Sequence, residues 1–143
     1  MAQSKNLGEV LHILIPGFRG LEEMTKRDIN NFSQKEKKEI IESLFMTFDA
    51  VRRINLTYNN EIKEITGHSN WLKKICKDAN LVYDDTIASH FGPREALYLK
   101  SQKQISIQEM LNKSDNQTLL CTIEAVDSLI RSVYQLEEMV VPA

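Results

Sequence analysis

Apolar residues recur along this chain at helical spacing, and the breaks between the recurring stretches mark out its elements. Leu7, Val10, Leu11 and Leu14 follow the i, i+3, i+4, i+7 rule, which predicts an amphipathic first helix. Pro16-Gly17 is expected to end it. A second, shorter helix is expected over about residues 21–32, with Leu21, Met24, Ile29 and Phe32 inward. Glu22 and Glu23 would then sit in its first turn, where the helix dipole favours anions.

The next stretch carries the strongest pattern. Ser33-Gln34-Lys35-Glu36 reads as a capping box, in which the serine hydroxyl takes the third amide and the glutamate reaches back. No Pro or Gly follows until Gly67, which suits the left-handed residue that stops a helix. A helix over residues 33–66 would be on the order of 50 Å long at 1.5 Å per residue. Ile41, Phe48, Asn55 and Ile62 share one heptad position, and Leu44, Val51, Tyr58 and Ile65 the position three residues later. A strict heptad lags an ideal helix by about 20° per repeat, so such a seam stays in contact by supercoiling. Its one amide, Asn55, stands where a lone Asn fixes register or partner number in coiled coils.

Beyond Gly67, Ser69 is expected to cap a helix with Trp71, Leu72, Ile75, Cys76 and Ala79 along one side. The pattern blurs over residues 80–104: Leu81-Val82-Tyr83 suits helix or strand, and Phe91-Gly92-Pro93-Arg94 predicts a break. Ser106-Ile107-Gln108-Glu109 and Ser114-Asp115-Asn116-Gln117 read as two further capping boxes. The second opens a long helix over about residues 115–140, with Leu119, Val126, Val133 and Val140 on one heptad position and Ile123 and Ile130 on the other. Leu120, Leu129 and Leu136 widen that stripe, so two neighbouring helices are expected against it.

Composition sharpens the fold class. Five Gly and three Pro in 143 residues are too few for the turns of an all-β fold. The expectation is an all-α single domain over residues 1–143. It is a helical bundle of four or more helices, built on a long central helix (33–66) and a long C-terminal helix (115–140) lying antiparallel to it. A net charge of −2 with interspersed signs gives no field for nucleic acid or membrane. The basic groups at Lys35, Lys37, Lys38, at Arg52-Arg53 and at Lys73, Lys74, Lys77 are short and neighboured by acids. No secretory signal or membrane-length apolar run is visible. With Cys76 and Cys121 as free thiols, a cytoplasmic location is expected. The sequons at Asn55 and Asn116 then count as chance matches.

Several residue groups carry possible chemistry. Glu9-Val10-Leu11-His12 has the Glu-x-x-His spacing of di-iron bundles, but no second such pair exists and both residues fall opposite the apolar stripe. Glu64 and His68 are separated by the helix stop at Gly67. Asp84, Asp85, His90 and Arg94 form the one place where carboxylates, a His and an Arg gather on expected loop, making a candidate polar site. Arg19 between Gly17 and Gly20 suits either an anion site before a helix or a tight helix–helix turn. Cys76 lies on an apolar stripe, and Cys121 opposite the last helix's seam. The acid pairs Glu36, Glu39, Glu42, then Glu61, Glu64, then Glu124, Asp127 are similar to the carboxylate sets with which MazG-type pyrophosphatases hold magnesium. That resemblance implies a small metal- or phosphate-dependent enzyme as the alternative function.

The layout as a whole resembles small all-α archaeal proteins of uncharacterised function, on size and helix order alone, so it transfers no functional residue. The favoured reading is a non-catalytic interaction or structural module without cofactor. It is expected to self-associate as a homodimer, or to take a helical protein partner, through Asn55, Tyr58 and Ile62. The reason is geometric: shorter neighbours leave part of a 50 Å helix uncovered.

Overall fold

The computed structural model describes residues 6–101, 105–113 and 115–140. Among the described residues the chain is all-α apart from one short strand pair. Its elements are α1 (Leu7–Thr25), a 3-10 turn (Ile29–Asn31), α2 (Gln34–Thr57), α3 (Asn59–Thr66), α4 (Trp71–Asp78), β1 (Leu81–Tyr83), α5 (Asp85–Phe91), α6 (Pro93–Ala96), β2 (Leu97–Leu99), α7 (Ile107–Lys113) and α8 (Asn116–Val140).

α8 is the axis of the bundle. Leu119, Ile123, Val126, Ile130 and Val133 are buried, and so are Leu129, Leu136, Ala125, Thr118 and Thr122. These positions span far more than one stripe, so α8 needs several neighbours, and α1, α2, α3, α4 and the 3-10 turn supply them. Of the expected flanking leucines, Leu129 and Leu136 are inside while Leu120 faces water. Thr122 resolves its own burial by donating to the Thr118 carbonyl at 2.7 Å, one helical turn back.

α1 does not stop at Pro16. It runs through Pro16, Gly17 and Gly20 to Thr25 and absorbs the start of the expected second helix, of which only the 3-10 turn remains separate. All three breakers lie on the water-facing side. The opposite side carries Leu7, Leu11, Ile15 and Phe18 into the core. Packing on α8 therefore outweighs the hydrogen bond that Pro16 denies the His12 carbonyl. The start of α1 meets the end of α8, where Val140 Cγ1 stands 3.3 Å from the place a Gly8 side chain would begin. The two helices are thus antiparallel.

The Ser33 capping box is present, with the Glu36 amide donating to Ser33 Oγ at 3.2 Å and the Ser33 amide to Glu36 Oε1 at 3.2 Å. The helix it opens is not one rod over residues 33–66. It breaks at Tyr58 (φ −117°, ψ 28°) into α2 and α3, and Gly67 (φ 77°) ends α3 with its amide on the Lys63 carbonyl. Asn59 and Asn60, poor helix formers, follow the break. A change of axis there returns Ile62 to the core, a correction that a straight heptad helix would need supercoiling to achieve.

α8 runs parallel to α2 and α3, not antiparallel as expected. Ile40 near the start of α2 clusters with Leu119 and Ile123, while Thr66 at the end of α3 shares a cleft with Gln135 and Met139. The chain between residues 67 and 115 returns to the starting end of α2, so both helices begin there. Two caps also differ from expectation. Asn70, not Ser69, caps α4 by accepting from the Lys73 amide at 3.1 Å. Asp115 caps α8, accepting from the Thr118 amide at 2.7 Å, and Ser114 lies outside the described residues. The Ser106 cap on α7 is present, through the Glu109 amide at 3.4 Å.

The blurred segment resolves into an antiparallel strand pair, Leu81↔Leu99, Val82↔Tyr98 and Tyr83↔Leu97, with α5 and α6 spliced into the connection. The Asp84 amide on the Ala96 carbonyl, 2.9 Å, closes the neck of that insertion.

Pro16→Ala should restore a helix bond on an exposed face and stabilise the fold by about 1–3 kcal/mol; a lower urea midpoint would contradict the continuous α1. Asn55 is 8% exposed and its Oδ1 finds no partner among the described residues. Asn55→Leu should therefore gain about 1–3 kcal/mol in the same measurement, and a loss of stability would show that the amide is needed where it stands.

Candidate functional site

The main groove of the described residues is built by the strand pair and the short helices around it. Asp84 ends β1 and caps α5, accepting from the Ile87 amide at 3.0 Å. α5 then runs about two turns to Phe91, where Gly92 (φ 101°, ψ 168°) takes a conformation open to glycine alone and Pro93 starts α6. That turn leaves Phe91 71% exposed at a lip. Val82, Ile87, Phe91, Tyr98 and Leu99 form the apolar walls of a groove of about 750 Å³, with Asp84, Glu95, Lys100 and Glu109 as its charged groups. α7 closes the far side, held beside β2 by the Tyr98↔Ser106 bridge. α5 contributes no fully buried residue, so its apolar side chains remain available at the surface.

The anchoring of this insertion is polar and aromatic. Arg94 of α6 reaches Glu42 of α2 at 3.2 Å and stacks 4.2 Å over the Phe45 ring. Lys73 of α4 pairs with Asp85 at 2.9 Å, which raises the Lys73 pKa. Phe48 and Tyr83 meet at 5.0 Å between ring centres.

The expected polar cluster is therefore divided among separate tasks. Asp84 is a helix cap, Asp85 an ion-pair partner of Lys73, and Arg94 a clamp on α2. His90 Nδ1 stays local, 3.0 Å from Ser89 Oγ and 3.1 Å from the Thr86 carbonyl. Of the four, only Asp84 lines the groove. The groove also draws on Val82, Phe91, Tyr98, Lys100 and Glu109, which the sequence pattern did not assign to that cluster. The available signal was Phe91 before Gly92-Pro93, an aromatic placed on a turn.

Among the interface candidates, Asn55 and Ile62 lie inside the core of the single chain, and Tyr58 is half-buried at the break. Glu9 and His12 are exposed on α1, and Glu64 and His68 flank the Gly67 stop in solvent. The MazG-like carboxylates are dispersed: Glu36 pairs with Arg27, Glu42 with Arg94 and Asp127 with Arg131. Among the described residues no three His, Cys, Asp or Glu side chains come together as a metal site. Arg19 sits on the middle of α1, so neither a helix N-terminus nor a helix–helix turn exists there. Nor is any helix of the described residues long and apolar enough to cross a membrane.

The arrangement defines an all-α bundle carrying a surface groove on a short two-stranded insertion. No family model matches the chain, and neither a curated protein nor a solved structure does.

One thiol and two phenols respond to pH in the opposite way to the surface acids. Burial pushes the Cys76 thiol up to about 12, while Cys121 is partly exposed beside Ser101 Oγ at 3.6 Å. Tyr134 is pushed up to about 12 by burial and by its hydrogen bond to Glu22, and Tyr83 is raised chiefly by burial. For each acid a raised folded-state pKa gives stability that is complete below the unfolded value and is lost as pH climbs through the folded one. The urea midpoint should hold to about pH 8.5, the ordinary thiol value, and fall steadily above it. Cys76→Val should delay that fall. A thiol reagent at pH 8 should label Cys121 in the folded protein and Cys76 only after unfolding; equal labelling would contradict the buried thiol.

Proposed function

We propose that this chain is a non-catalytic binding module and that its docking surface is the groove between the strand pair, α5 and α7. The observation that carries the reading is Phe91. An aromatic side chain 71% exposed beside Val82, 45% exposed, at the mouth of an apolar groove leaves uncovered surface of the kind that anchors partners. The enzyme alternative has less support, since Glu36, Glu42 and Asp127 are engaged in separate ion pairs and no three of its carboxylates come together among the described residues. Self-association is the second reading. It is moved from the Asn55, Tyr58 and Ile62 seam, which the chain covers itself, to the exposed Phe91 face.

A neutral apolar probe tests the surface without presuming a partner. Indole titrated into ¹⁵N-labelled protein should give saturating amide shifts centred on Val82, Ile87, Phe91 and Tyr98. Phe91→Ser should weaken binding about fivefold, the scale of one aromatic contact. Shifts centred elsewhere, or none at all, would remove this reading. Sedimentation velocity across a hundredfold range of concentration decides the second one.

A further inference from the structure

The groove's charges name the chemistry of its occupant. Three carboxylates line it, Asp84, Glu95 and Glu109, against the single ammonium of Lys100. Several charges on other helices are met locally: Arg52 and Arg53 by Asp49, Lys74 by Asp78, and Arg131 by Asp127. At the groove the Glu95 and Glu109 carboxylates meet no cation among the described residues, and Asp84 spends one oxygen on the Ile87 amide. Glu95 Oε2 is folded back toward Gly92, 3.5 Å from where a side chain there would begin. Its charge is thus held beside the Phe91 lip rather than swung out into bulk water.

We propose, resting on the groove as the docking surface, that its occupant is a basic peptide segment of another protein. That segment sets Leu-, Ile- or Phe-type side chains against Phe91, Val82 and Tyr98 and aims Lys or Arg at Glu95 and Glu109. A second copy of this chain fits poorly, because a two-fold contact would place the three carboxylates of one groove against those of the other. A free small cation fits poorly as well. Ligand pockets enclose most of the ligand's surface, whereas Phe91 at the lip of this groove stands 71% in water. An apolar centre with a charged rim is the anatomy of a protein–peptide contact.

The probes are a synthetic amphipathic peptide of Leu and Lys at helical spacing, its Leu and Glu counterpart, and phenethylamine. Each is titrated into the ¹⁵N-labelled full chain at low and at physiological salt. The Leu/Lys peptide should perturb the amides of residues 82–99 and bind at least about tenfold more tightly than the Leu/Glu peptide. The combined Glu95→Lys and Glu109→Lys variant should lose about tenfold, and Lys100→Glu should gain. Raised salt should weaken the Leu/Lys peptide. Circular dichroism and the urea midpoint of each variant confirm that the fold is intact; should the double variant unfold, Lys100→Glu still carries the test, because added acid must tighten binding. Equal affinity for the two peptides, or indifference to charge reversal, overturns the basic occupant while indole binding still upholds the groove. Phenethylamine binding as tightly as the peptide overturns the peptide assignment. A dimer abolished by Phe91→Ser overturns it in favour of a second copy. Failure of both indole and the peptides removes the docking surface itself.

Discussion

The burial of α8 on several sides at once sets the terms for every other element. Leu119, Ile123, Val126, Ile130 and Val133 cannot leave water against one neighbour while Leu129, Leu136 and Ala125 do so against the same one. Each buried aliphatic side chain is worth about 1.5–3 kcal/mol, so covering this helix outweighs the local preferences of what covers it. α1 is the clearest instance. A proline and two glycines on its wet side cost a few kcal/mol, about 3 for Pro and 1 for each Gly by intrinsic propensity, yet the helix continues because Leu7, Leu11, Ile15 and Phe18 lie on α8's side. α2 and α3 meet the same demand by changing direction at Tyr58, where a straight rod would have drifted off its neighbour.

The same demand frees the groove from structural duty. Once α1, α2, α3 and α4 surround α8, the residues between β1 and β2 are not needed to cover it. α5 buries nothing completely and is tied down by a cap, an ion pair and the Arg94 clamp. Elements held this way open locally at low free energy, which suits a surface that adapts to a partner. Surface ion pairs of this exposure contribute about 0–1 kcal/mol each. Arg94 does more than pair: its guanidinium lies over Phe45, so one side chain fixes α6 against α2 by charge and by stacking.

Charge is distributed by the same logic. On long helices an acid and a base three or four residues apart meet without help from the fold, as Asp49 does with Arg52 and Arg53, and Asp127 with Arg131. Glu95 has no base three or four residues away, and Glu109 has Lys113 at that spacing but forms no ion pair with it among the described residues, so both carboxylates remain at the groove.

How much of this was legible without coordinates depends on the range of the interaction. Caps and stops are local: Ser33 with Glu36, Ser106 and Gly67 were readable because the donor and acceptor lie within four residues. The apolar periodicity of α2, α4 and α8 was readable because one face meets the core in every turn. Direction was not. A heptad pattern is the same read against a parallel or an antiparallel neighbour, so only the path of residues 67–115 decided that α8 runs with α2. Asn55 shows a further limit: its heptad position predicted burial, but the pattern could not say whether a second chain or this one would cover it. The groove was hidden for a related reason. Its walls are brought together by the pairing of Leu81–Tyr83 with Leu97–Leu99 across a helical insertion, and its acids come from three separate elements. The sequence by itself determined an all-α chain, most helix boundaries and the inward residues, because these follow from contacts within a few residues. Tertiary structure alone decided the continuity of α1, the break at Tyr58, the parallel course of α8 and the groove, because each is the outcome of competition between local preference and burial against residues far along the chain.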